Sequence, residues 1–248
     1  MRASILLLVA AFAAGVAADD KDEAEAIAEE MRSNDVGVRL GAFDKAAALA
    51  TPEALDLVAQ AYSKDPLGKV VAKAAWAIAR IHVAQEEKGS EDDPKWKAAW
   101  GKVADLLGKG LLKHREELDV ALATIRAMAE MGDPQFVKTL SEDLWKVRER
   151  QVIHGRILAL GCIRDKTSID ALMDILYVAG REQLEPFALT LAAALKRLTG
   201  QTFRDRVEAK KWWKENRGKF AFEKVDPKRR ELERRAFEKM WEKAEEGK

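Results

Sequence analysis

The sequence predicts an all-α solenoid of about five antiparallel helix pairs closed by a capping C-terminal helix. Three observations carry that prediction. Val120–Leu140 and Val152–Leu172 repeat one pattern at a constant offset of 32 residues, so that Ala127, Met128, Met131, Asp133, Val137 and Leu140 fall on Ala159, Leu160, Ile163, Asp165, Ile169 and Leu172. Each copy reads as a small-residue helix, a short Asp-containing turn and a second apolar helix. Such a unit cannot bury its apolar face alone and must stack on neighbours. Apolar residues recur at three- and four-residue spacing along most of the chain, and no useful length alternates as a half-buried strand does.

The first residues read as a secretory signal. Arg2 precedes an apolar run from Ile5 to Val16, and small residues lead to an expected cut after Ala18. That run is too short to span a bilayer, and no second long apolar segment follows in the mature chain. Export normally permits disulfides, yet Cys162 is the single cysteine, so stability is expected from packing. Arg2 is the only charged residue removed with the signal, which takes the formal +1 to zero. Global charge therefore gives no argument for nucleic acid as a partner.

Residues 19–35 form an acidic tip and a first helix, ending in a Ser33-Asn34-Asp35 turn and cap. The repeat array is expected over 36–217. Leu40, Phe43, Ala47 and Ala50 mark its first helix, and Thr51-Pro52 restarts the chain as cap and first turn of the partner, with Leu55, Val58 and Tyr62 as its stripe. Asp65-Pro66 opens a second pair, interrupted between Gln85 and Asp93. Pro94 starts its partner, in which Trp96, Trp100, Val103 and Leu107 read as core and Gly108-Lys109-Gly110 as the terminator. The two aligned copies follow. A fifth pair opens with a helix from about Arg181 to Leu198, ended at Gly200, and is completed by a shorter partner carrying Trp212-Trp213. Residues 218–248 are expected to form the charged capping helix, with Leu232, Phe237, Met240 and Trp241 as a narrow apolar seam.

These residues carry a resemblance. Val152, Ala159-Leu160-Gly161, Ile163, Asp165, Ile169 and Leu172 resemble the short HEAT-like repeat of the phycobilisome-lyase type, as does Val120–Leu140 with Met131-Gly132-Asp133-Pro134. Leu195 to Phe203 followed by Trp212-Trp213 is similar to the end of many exported bacterial HEAT-like proteins. The resemblance implies a right-handed stack used as a protein-binding scaffold in the periplasm or outside the cell. It does not imply bilin chemistry, and Cys162 occupies a packing position.

The sequence holds no constellation for catalysis. Its 3 histidines, His82, His114 and His154, fall in different repeats without metal-ligand spacing, no serine sits in a nucleophile elbow, and no phosphate loop is present. No cofactor is expected. Arg204 to Arg217 and Lys228 to Arg235 are basic, but Glu208, Glu215, Glu231 and Glu233 dilute both clusters, leaving a peripheral anionic surface as the lesser reading. The expected function is a non-catalytic scaffold binding another protein along the second helices of each pair, at solvent-facing positions of 134–144 and 166–178. Trp212, Trp213, Lys210 and Arg217 are the candidate partner contacts, with one tryptophan of the pair directed inward. The alternative is a ligand-binding or enzyme-accessory protein with a pocket at the interrupted second pair or the C-terminal junction.

Overall fold

The computed structural model describes residues 22–88, 93–178, 180–222 and 239–242, and among these it is all α, with no strand. The signal segment, residues 89–92 of the expected interruption, Leu232, Phe237 and the basic run Lys228 to Arg235 lie outside the described residues; Gln85 to Lys88, expected in that interruption, are helical instead. Contacts divide the chain into two compact units, Met1–Gly110 and Leu111–Lys248.

In the first unit, α1 (22–31) buries Ala24 and Ile27. The Asp35 carboxylate accepts from the backbone N–H groups of Gly37 (2.6 Å) and Val38 (3.3 Å), which starts α2, Val36–Leu49. Ala50 closes α2 at φ 48°, and Thr51 caps α3, Pro52–Lys64, with proline in the first turn as expected. The buried face of α2 is Ala42, Phe43 and Ala46, rotated from the expected stripe, of which Phe43 and the capping Ala50 are buried; α4, Gly68–Lys88, packs against α2. α4 also packs on α3 and is the centre of this unit.

α5, Pro94–Lys113, corrects one expectation: Gly108-Lys109-Gly110 lies inside the helix and does not end it. Gly110 is there to let Tyr62 in. A Cβ at this position would stand 2.5 Å from Tyr62 Cε1 and 2.6 Å from Cζ, and the ring is 1% exposed. Gly110→Ala is therefore expected to lower stability by about 2 kcal/mol, since overpacking outweighs the gain in helix propensity of about 1 kcal/mol. Chemical denaturation of the variant checks the sign; propensity alone would raise the midpoint.

In the second unit, α6 is Leu118–Met131, α7 Phe136–Ser141, α8 Arg150–Leu160 and α9 Lys166–Val178. α10, Arg181–Leu184, is followed by α11, Ala188–Thr199, and α12, Arg206–Asn216. The single helix expected to open the fifth pair is broken because Pro186 lacks an N–H and imposes a 3-10 turn at Glu185–Phe187. Gly132 and Gly200 end α6 and α11 in the left-handed region, at φ 64° and 72°, where a side chain would strain the backbone.

The 32-residue correspondence holds in detail. Asp133 Oδ1 accepts from Gln135 N–H at 2.9 Å and Asp165 Oδ1 from Thr167 N–H at 2.8 Å, the same turn in both copies. The five matched pairs other than the aspartates are buried in both copies. α8 packs between α6 and α11, while α9 packs against α7 and α12. First helices thus neighbour first helices, and second helices neighbour second helices.

Candidate functional site

The two copies part company after Leu140 and Leu172. α9 runs for 13 residues, whereas α7 stops after 6. The stop is built by Arg156, a buried side chain on α8. Its Nε donates to the Leu140 carbonyl at 2.8 Å, and its Nη2 donates to those of Thr139 and Glu142 at 2.6 Å each. Burial lowers the Arg156 pKa to about 10, against the raising influence of Asp143 and Glu142, so the fork stays charged at neutral pH. The Ser141 hydroxyl donates to the Val137 carbonyl, and Asp143 turns the backbone at φ 53° into a 3-10 turn at Leu144–Lys146.

Because α7 ends early, α9 faces this turn over its second half. A groove of 850 Å³ lies between them, with Val137, Leu144, Ala171 and Ile175 among its apolar lining and Val178, 77% exposed, at its edge. Trp145 forms part of the wall. Its ring rests on Phe187 at 5.8 Å, and Phe187 in turn rests on His154 at 4.6 Å. The His154 ring is held by Thr190, Nδ1 to Oγ1 2.9 Å. Burial and then repulsion by Arg150 lower the His154 pKa.

Asp170 lines the groove but is held from behind by α12 and the turn after it. Arg217 donates through Nε (2.9 Å) and Nη2 (2.7 Å) to the two carboxylate oxygens, and Trp213 Nε1 donates at 2.7 Å. The bonds from Arg217 lower its pKa most, burial opposes them, and the Trp213 bond lowers it further.

The four sequence candidates meet along α9 and α12. Trp213 is buried, with its indole spent on Asp170; Trp212 is half-buried against Phe203 and Phe220. Arg217 is bound to Asp170, and Lys210 Nζ sits 3.7 Å over the Tyr177 ring. None of the four lines the groove; Trp213 and Arg217 act on it only through Asp170. Sequence reasoning missed Trp145, one residue beyond the expected 134–144, whereas Asp174 is a solvent-facing position of the expected 166–178. The available signal was the loss of correspondence at Ser141-Glu142-Asp143 against Met173-Asp174-Ile175. Among the described residues, no three His, Cys, Asp or Glu side chains form a metal-ligating group, and no helix is long and apolar enough to cross a membrane.

The chain matches no family model and no curated protein. Its functional reading rests on the groove.

Two pH steps are expected in the second unit. The folded His154 resists protonation, so as pH falls below the ordinary histidine value of about 6.5 the unfolded chain gains a proton first and stability declines. Asp170 acts at lower pH: its contribution is present above the ordinary carboxylate range and lost as pH falls through its depressed value. Thermal melts from pH 8 to 3 should show the upper step removed by His154→Gln and the lower one reduced by Asp170→Asn.

Proposed function

We propose that this chain is an exported, non-catalytic scaffold whose helix pairs stack as a right-handed HEAT-like solenoid, and that it holds another protein in the groove between α7 and α9. The observation that carries the reading is the groove itself: apolar lining, a half-buried tryptophan wall, and an edge whose carboxylate is pinned by Arg217 and Trp213. A fixed apolar cleft with an aromatic wall is the anatomy of a protein-binding hot spot. The equal turns and buried positions of the two copies, and the ordering of helices in the second unit, support the repeat stack. The signal-like first residues support export.

The groove volume of 850 Å³ also suits a small ligand, which keeps the ligand-binding reading as the second one. Affinity capture from the native envelope extract separates them. A polypeptide partner should be recovered reproducibly and lose about 30-fold in affinity with Trp145→Ala, as an aromatic hot spot does. Recovery of no polypeptide, with a small molecule raising the melting temperature of the purified chain, would replace the scaffold reading with the ligand-binding one.

A further inference from the structure

We propose that the occupant of the groove is a two-turn amphipathic helix of another polypeptide, lying along the second half of α9 beside the turn that follows α7, and oriented by Lys138 on one wall and Asp174 on the other. This rests on the scaffold reading and specifies it.

The length comes from the mismatch between the copies. α7 has 6 residues where α9 has 13, a shortfall of seven. At 1.5 Å per residue that is about 10 Å, or two turns. α7 does not extend further, because Glu142 leaves the helix in extended backbone (ψ 132°), Asp143 turns at φ 53°, and Arg156 holds the carbonyls of Thr139, Leu140 and Glu142 in that turn. The overhang of α9 is therefore part of the folded structure, and Leu144, Trp145, Ile175 and Val178 line the groove beside it.

Charge gives the orientation. Of the groove's charged side chains, Asp143 pairs with Lys146 at 2.8 Å and Asp170 with Arg217 at 2.7 Å. Lys138, on α7, and Asp174, on α9, form no ion pair among the described residues, and both are exposed. A helix that buries its apolar stripe here meets a cation along one flank and an anion along the other. It satisfies both with an acidic flank toward α7 and a basic flank toward α9. Turning such a helix end for end exchanges its flanks, so the pair also selects one direction of binding.

The test uses the full mature chain and three side-chain-bridged peptides of about 14 residues, a length at which an unbridged helix is marginal. All carry one apolar stripe. The first has one Glu flank and one Lys flank, the second has Gln on both flanks, and the third is the first with a central proline. Fluorescence anisotropy at low salt should show saturable binding of the first and binding about three- to tenfold weaker for the second, the range two exposed ion pairs supply. The proline peptide should not compete. Raising the salt, or the double variant Lys138→Gln/Asp174→Asn, should close the difference between the first two, and Val178→Glu should weaken both. Equal binding of the first and third peptides, or a flank preference untouched by the double variant, overturns the inference. If the partner captured from extract is retained equally by wild type, the double variant and Trp145→Ala, the scaffold reading stands on another surface and this inference falls alone. Capture of no polypeptide removes both.

Discussion

Trp241→Ala is expected to destabilise the second unit by about 4 kcal/mol, the largest effect of any single truncation in this chain. Trp241 is the largest fully buried side chain, at 0% exposure, although it belongs to a helical segment described only over 239–242. Its ring enters a socket on α8 and α6. A Cβ on Gly155 would stand 3.3 Å from Trp241 Cη2, 3.5 Å from Leu122 Cδ2 and 3.7 Å from Ile125 Cγ2. Glycine inside a helix costs about 1 kcal/mol relative to alanine, and the approach of the indole accounts for its presence at 155. Within the described 239–242, Lys239 and Glu242 are exposed and Met240 is half-buried, so Trp241 is the fully buried apolar anchor there. Hydrogen exchange at the Met240, Trp241 and Glu242 amides should rise sharply in the variant, together with a fall in melting temperature. Gly155→Leu should produce the same exchange signature by filling the socket from the other side. Unchanged exchange in both variants would show that the segment is held elsewhere.

Arg156→Leu is expected to cost about 3 kcal/mol, or roughly 10 °C in melting temperature for a unit of this size. Exchanging a buried ion pair for apolar groups is often neutral, because both charges leave together. Here the acceptors are backbone carbonyls of Thr139, Leu140 and Glu142, which stay in place when the guanidinium goes. Arg156→Lys should recover only part of the loss, since one ammonium cannot reproduce the planar fork. The same variant should loosen the turn at Leu144–Lys146, so the Trp145 emission is expected to shift toward that of a solvated indole. A loss of stability with no change at Trp145 would separate the role of Arg156 in the core from its role in shaping the groove.

Much of the helical plan was legible because its signals are local. A capping carboxylate lies two or three residues from the N–H it receives, as Asp35, Asp133, Asp165 and Asp205 do. A stripe is visible within four residues. That one tryptophan of the 212–213 pair turns inward also followed from local geometry, since neighbours on a helix point about 100° apart; that it is Trp213 did not. The candidates Trp212, Trp213, Lys210 and Arg217 came from the same local reasoning, which identifies conspicuous side chains without showing what they touch. Arg217 was read as an exposed cation; its partner, Asp170, lies 47 residues away in the chain.

The sequence by itself determined the all-α class, most helix boundaries, the caps and the repeated unit, because each depends on residues close in the chain. The tertiary structure alone decided that Gly110 continues a helix, since Tyr62 must pass over it. It decided that α7 stops at Ser141, where Glu142 and Asp143 leave the helix and Arg156, 14 to 17 residues away, holds the turn by its carbonyls. It placed Trp145, Lys138 and Asp174 around one groove and Trp241 in the core. Each of these depends on side chains brought together by packing, over separations at which a single sequence carries no local signal.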